Sequence, residues 1–201
     1  MQLLLKVLKY AREVVHDSRQ LSKVRQRVRW WAALGMLRSL ASSPAAAAAT
    51  LRSKSKAITA ENAAQVDEIS RPLVFDDDAD DTEGHDDIGV GSDTADLEDG
   101  EDAIARERRR LLDMAREADA LQGDNDPKLK KVVSLVKSLV KDGHRPILFC
   151  RFIATAEYVA EQLRDKLTKK ETVICVTGLI APAEREERIR QLRDVESCVL
   201  V

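Results

Sequence analysis

Residues 76–102 hold fourteen acidic side chains and neither Lys nor Arg. A run so charged and so poor in apolar groups cannot bury enough surface to offset the entropy of ordering it. It predicts a disordered acidic linker, residues 59–102 with its flanks, that splits the 201-residue chain. Length alone allows one or two domains. With the middle set aside, the packed core is expected from the C-terminal third, with helices at the N-terminus.

The net charge of −2 hides an uneven distribution. Residues 1–60 carry twelve Lys or Arg against Glu13 and Asp17. A basic end attracts phosphate or an acidic partner, the chain's own acidic run among them; a solvated helix face beside a solvated linker explains the same pattern. Cys150, Cys175 and Cys198 fall in predicted strands without C-x-x-C spacing, which predicts reduced thiols and no metal site. No apolar run reaches the length of a membrane span, and Lys6 and Lys9 spoil a signal peptide. The expectation is a cytoplasmic protein without a membrane partner.

Apolar residues recur at helical spacing from Leu4 to Leu40, with no Pro in the run, predicting one long helix or two in line. Val7, Val14, Leu21 and Val28 fall on a seven-residue repeat, a possible coiled-coil seam, although packing on a parent domain fits better. Of Trp30 and Trp31, about 100° apart on a helix, Trp31 continues the apolar face, leaving Trp30 the freer ring for base stacking. Ser42-Ser43-Pro44 ends one helix and starts the next, a Ser cap before Pro at the first helical position. The run of five alanines, 45–49, is thin enough for close approach to another element.

Beyond the acidic run, helical spacing returns over 103–121 and breaks at Gly123-Asp124-Asn125. Asp126-Pro127 restarts a helix, lined by Leu129, Val132, Val133, Leu135, Val136, Leu139 and Val140, that stops at Asp142-Gly143. The remainder reads strand 147–150, helix 155–167, strand 172–176, helix 182–192 and strand 198–201. Thr155 is read as the cap of the first of those helices, with Glu157 in its first turn. Alternating elements with short connections predict a parallel sheet with right-handed crossovers, and unbroken apolar strands predict cover on both faces.

The stretch Ile-Leu-Phe-Cys-Arg-Phe at 147–152 with its following helix, then a strand, Thr177-Gly178, and Arg185 seven positions on, resembles the start of the second RecA-like lobe of superfamily 2 helicases and Swi/Snf-type translocases. The resemblance covers residues 127–201 and rests on the order and spacing of short motifs. The block 42–52, Ser-Ser-Pro, five alanines and Thr-Leu-Arg, is similar to a segment between the lobes of some bacterial Swi/Snf-like helicases, the DISARM phage-defence type included. This implies an α/β fold, a partial RecA-like parallel sheet preceded by long helices and a disordered acidic insert. The implied domains are a basic interlobe region (1–58), the linker (59–102), a helix and loop (103–126), and the first part of a helicase C-terminal domain (127–201).

The family assigns the carboxyl ends of such strands to nucleic acid. That implies Arg151, Thr155, Thr177, Gly178 and Arg185 as phosphate contacts, through guanidinium, hydroxyl and backbone N–H groups. Plainer roles are open as well: Thr155 as a cap, Arg185 paired with Glu184 or a residue one turn away. Pro182 stands where DEAD-box members carry Gln, which argues against a DEAD-box-like RNA contact and for other helicase branches; DNA is expected over RNA as the partner. The sequence has no G-x-x-x-x-G-K-[ST] loop and no Asp-Glu pair after a strand. ATP and Mg therefore belong to the full-length enzyme, with no catalytic, cofactor or metal residue in this segment. The expectation is a fragment of an ATP-dependent helicase or translocase, inactive alone, partnered by nucleic acid, a first RecA-like lobe and the rest of the second. The rival is a non-enzymatic interaction module with a small α/β domain.

Overall fold

The computed structural model describes residues 2–17, 23–58, 101–193 and 195–201. The described residues are mostly helical with one small parallel sheet, α/β in the coarse sense. The helices are α1 (Gln2–Asp17), α2 (Lys23–Ser42), α3 (Pro44–Ala57), α4 (Glu101–Asp119), α5 (Pro127–Lys141), α6 (Ile153–Lys166) and α7 (Pro182–Gln191). The strands are β1 (Thr172–Ile174) and β2 (Cys198–Leu200). Most of the expected acidic linker lies outside the described residues; Glu101 and Asp102, placed in it on composition, begin α4.

The N-terminal helices own a core, which corrects the expectation that the C-terminal third supplies it all. Leu3, Val7, Tyr10 and Ala11 of α1 pack with Ala33 and Met36 of α2, Ala47, Ala48 and Leu51 of α3, and Leu111, Met114, Ala115 and Ala118 of α4. Each large apolar side chain so buried contributes about 1.5–3 kcal/mol. A second correction follows. Because α1 and α2 bury their faces against each other, they fold back as a hairpin and do not run in line. Periodicity reports which face is apolar and is blind to a reversal between two helices that share it. Leu21, the third member of the supposed heptad, lies outside the described residues. Trp30 is exposed and Trp31 half-buried, as their positions on the helix predict.

Helix α3 is the centre of this half. Ser43 caps it, its hydroxyl accepting the Ala46 N–H at 3.0 Å, and Pro44 occupies the first turn. Ala46, Ala47 and Ala48 are buried, as the thin alanine run predicts. Burial extends to Thr50, Leu51, Ser53, Lys54 and Ser55, so α3 is covered on several sides, by α2, α4 and α6. The Lys54 ammonium lies 5.7 Å from the centre of the Tyr10 ring, with the Arg110 guanidinium 5.1 Å from the same ring.

The second core joins Leu129, Val133 and Val136 of α5, Ala156, Tyr158, Val159, Ala160 and Leu163 of α6, and Val173, Val199 and Val201 of the sheet. Helix α5 begins and ends as read. Asp126 accepts the Lys128 and Leu129 N–H groups at 2.9 and 3.1 Å, and Gly143 takes φ +82° beyond the end. Leu135, counted on its apolar face, points to solvent at 61% exposure.

β1 and β2 pair in parallel, Val173 beside Val199, and Ile147 forms a single parallel bridge to Leu200 on the other side of β2. The spatial order is thus β1, β2, then the strip at Ile147. Segment 147–150 is a one-residue bridge and not the strand expected. Leu148 and Cys150 face the core, while Ile147 and Phe149 are 57% and 94% exposed. Among the described residues, cover on both faces, expected from the unbroken apolar run, is absent at this strip. Chain order supplies a reason: the step from the strip to β1 and the step from β1 back to β2 run in opposite directions. Right-handed crossovers then put α6 and α7 on opposite faces. Helix α6 is packed with seven buried residues; α7 has none.

Candidate nucleic-acid interface

In a parallel sheet the carboxyl ends of the strands, with the helix starts beside them, form the crevice where ligands sit. The register fixes which residues stand there. Ile147, Leu200 and Ile174 are level across the sheet. Arg151 lies four residues beyond Ile147, and Thr177 and Gly178 three and four beyond Ile174. These three therefore share one edge, with Val201 between them. The two flanking segments stand two strand spacings apart, about 10 Å. The ladder continues past β1, Val176 N–H to Val201 O at 2.8 Å, before the chain turns at Thr177, whose carbonyl accepts the Ile180 N–H at 3.1 Å.

Gly178 is exposed in that turn; the positive φ values among described glycines belong to Gly123 and Gly143. Arg185 is half-buried in the first turns of α7, its N–H bonded to Ala181 O at 2.9 Å. Glu184 pairs with Arg188 at 2.7 Å. Arg188 also donates to Cys175 O at 3.2 Å, tying α7 to the end of β1.

Thr155 differs from its reading. The helix starts at Ile153 with Phe152 in the cap position, and the Phe152 carbonyl accepts from Thr155 and Ala156 at 2.9 and 3.0 Å. No side chain caps it, and Glu157 falls beyond the first turn. Phe152 and Ile153 are buried, so apolar packing sets the helix start ahead of the residue with the better capping chemistry. Thr155 itself is buried, its hydroxyl 2.8 Å from both Ser42 Oγ and Ser43 Oγ. Beside it, Lys128 Nζ donates to Ala41 O and Ser42 O at 3.1 and 2.9 Å, satisfying carbonyls at the end of α2. Those contacts tie the helical half to the α/β half. The sequence marked Ser43 as a cap, but nothing in it marked Thr155 or Lys128 as partners of that joint.

Arg151 and Thr155 come together on the lining of a groove of about 380 Å³ between α5, residues 146–151 and the start of α6. Its walls are Leu129, Val132, Leu139, Ile147, Phe149 and Val159, with Ser42, Ser43, Lys128 and Tyr158 also on the lining. Thr177, Gly178 and Arg185 are not on that lining. The five expected residues thus divide between a groove and the loop before α7.

The groove also contains a proton-holding node. The Tyr158 hydroxyl accepts the Gly123 N–H at 2.9 Å and donates to Asp126 Oδ2 at 3.3 Å. Burial pushes the phenol up to about 12, and the Asp126 carboxylate adds to the shift. A phenol with a raised folded pKa stabilises the fold fully below its unfolded value near 10. That contribution fades as pH rises from about 10 toward 12. Chemical denaturation between pH 9 and 12 should show this loss, and Tyr158→Phe should flatten it. An equally steep decline in Tyr158→Phe would assign the pH dependence elsewhere. Burial likewise raises the thiols of Cys150 and Cys175, which keeps both protonated and poorly nucleophilic at neutral pH.

No cluster of three metal-ligating side chains occurs among the described residues, and the carboxyl edge offers guanidinium, hydroxyl and amide donors. Such groups can donate hydrogen bonds to an anion. No described helix is long and apolar enough to cross a membrane. Comparison with protein-family models, curated proteins and solved structures finds no match to this chain.

Proposed function

We propose that this chain is the strand-gripping part of an ATP-dependent nucleic-acid helicase or translocase. Residues 127–201 would be the start of a second RecA-like lobe, with α1 to α4 as the interlobe helices. One observation carries the reading: Arg151 and Thr177-Gly178 stand on the same edge of a parallel sheet, at the register where ladder hydrogen bonds stop. In that role Arg151 and Arg185 attract the phosphate backbone, the Thr177-Gly178 turn lets it approach closely, and α6 sets the position of Arg151. Thr155 acts through the joint to Ser42 and Ser43 and positions the groove. ATP and Mg are held by residues outside this chain and drive closure between lobes, so this segment contributes grip and no chemistry.

Fluorescence anisotropy with a labelled single-stranded DNA and its RNA counterpart tests the reading. Binding should weaken with salt, and Arg151→Ala with Arg185→Ala should lower the salt slope by about 0.7 per residue removed on these single strands. DNA should bind more tightly than RNA. The 201-residue chain should show no DNA-stimulated ATP turnover. Salt-insensitive binding, or a slope untouched by the double substitution, would remove the proposal.

A second reading, a non-enzymatic interaction module, draws support from a different observation: the groove beside Ile147 and Phe149 is apolar and open.

A further inference from the structure

The two edges of the sheet are treated differently. On the β1 side, the outward carbonyls of Val173 and Cys175 are occupied by Arg164 Nε at 3.1 Å and Arg188 Nη1 at 3.2 Å. Arginine side chains thus close that edge. On the other side, Pro146 O and Leu148 N–H bond to β2, accepting from Leu200 N–H at 3.1 Å and donating to Leu200 O at 2.8 Å. Alternation along the strip then turns the amides of Ile147 and Phe149 outward. Neither makes a backbone hydrogen bond among the described residues. The same two residues are the exposed apolar ones, and Leu135 stands across the groove, also exposed. An unpaired edge flanked by uncovered apolar side chains is a template for another strand.

Charge narrows the choice of strand. Lys128, engaged with the Ala41 and Ser42 carbonyls, and Arg151 lie on the groove lining, where the carboxylate is Asp126, buried and bonded to the α5 N–H groups and Tyr158. Lys128 Nζ lies on the Ala41 and Ser42 carbonyls, 3.1 and 2.9 Å away, and holds its positive charge there. Helix α5 itself has five lysines and no acid. A second copy fits poorly: the antiparallel register that buries Ile147 against Phe149 sets Arg145 opposite Arg151.

We propose that the 146–151 edge binds, by strand addition, an extended peptide of a partner protein with apolar residues at alternate positions followed by carboxylates. In the parallel sense of this sheet, the apolar residues lie along Ile147 and Phe149 and the acids reach Arg151 and Lys128. The proposal does not depend on the motor reading. Residues 72–78 of this chain, Pro-Leu-Val-Phe-Asp-Asp-Asp, share that pattern and lie outside the described residues, so occupation in cis is the competing outcome.

The probe is a fluorescein-labelled peptide, Thr-Leu-Thr-Phe-Asp-Asp-Asp, titrated into the full chain. Phe149→Ser should weaken it about tenfold or more. Because Phe149 is exposed, this variant should fold, which circular dichroism checks. Replacing the probe's Asp residues by Asn should cost about fivefold at low salt. Hydrogen exchange at the Ile147 and Phe149 amides should slow in the complex. No binding, binding indifferent to Phe149→Ser, or unchanged exchange at those amides would overturn the proposal. So would binding that appears only after Leu73→Ser, Val74→Ser and Phe75→Ser together, because the groove would then be filled by the chain's own segment.

Discussion

Leu163→Ala is expected to cost about 2–5 kcal/mol of stability, the usual penalty of lost transfer energy plus a residual cavity. Leu163 is fully buried in α6 and belongs to the α/β core, with Val173 and Val199 of the sheet in the same cluster. Leu111, equally buried, belongs to the other core, among α1, α3 and α4. Leu111→Ala should therefore cost a similar amount. The informative comparison is the shape of unfolding. The halves meet where α3 packs on α6 and at the Ser43–Thr155 joint. If the two clusters melt as one unit, each variant shifts a single transition seen by both tryptophan fluorescence and far-ultraviolet circular dichroism. If Leu163→Ala moves the circular-dichroism curve and leaves the Trp30 and Trp31 signal in place, the halves are separate cooperative units. A loss below about 1 kcal/mol in either variant would contradict the packing described.

Asp126→Ala should come close behind, at about 2–4 kcal/mol. One carboxylate satisfies two N–H groups at the start of α5 and accepts the hydroxyl of buried Tyr158. Loss of a cap costs about 1 kcal/mol, and a buried polar group left unsatisfied about 1–3 more. Asp126→Asn keeps a side-chain oxygen for the cap and should recover most of the first contribution. Tyr158→Phe removes the acceptor of the Gly123 N–H as well as the donor to Asp126, so the double variant Asp126→Ala, Tyr158→Phe should lose less than the sum of the two single losses. Urea denaturation of the four proteins checks this; additive effects would mean that the two side chains do not act together.

Local chemistry was legible wherever one residue decided the outcome. Ser43, Asp126 and Gly143 each mark a helix boundary through a side-chain acceptor or tolerance of a positive φ, and all three stand where the sequence puts them. The parallel pairing of residues 172–174 and 198–200 was legible from the alternation of elements. Thr155 was misread because capping chemistry was weighed without the burial of Phe152 and Ile153, which sets the helix start. The folding back of α1 on α2 and the helical core were missed for a related reason. Small residues such as Ala33, Ala47, Ala48, Ala115 and Ala118 build much of that core, and they carry little hydrophobic signal. The exposure of Phe149 could not be read at all, since an apolar run has the same letters whether one face or both are covered. Of the candidate site, the edge carrying Arg151 and Thr177-Gly178 followed from the order of elements; the division between groove and loop needed coordinates.

The link between α2 and α3 is one residue long, and that residue holds both the first turn of α3 and the Thr155 hydroxyl. Hinge and latch are therefore the same oxygen. Swinging α1 and α2 away from the sheet would fray α3 at its first turn, so the arm resists torque like a lever keyed to its axle. A displacement of the end of α2 should thus be felt at the mouth of the groove.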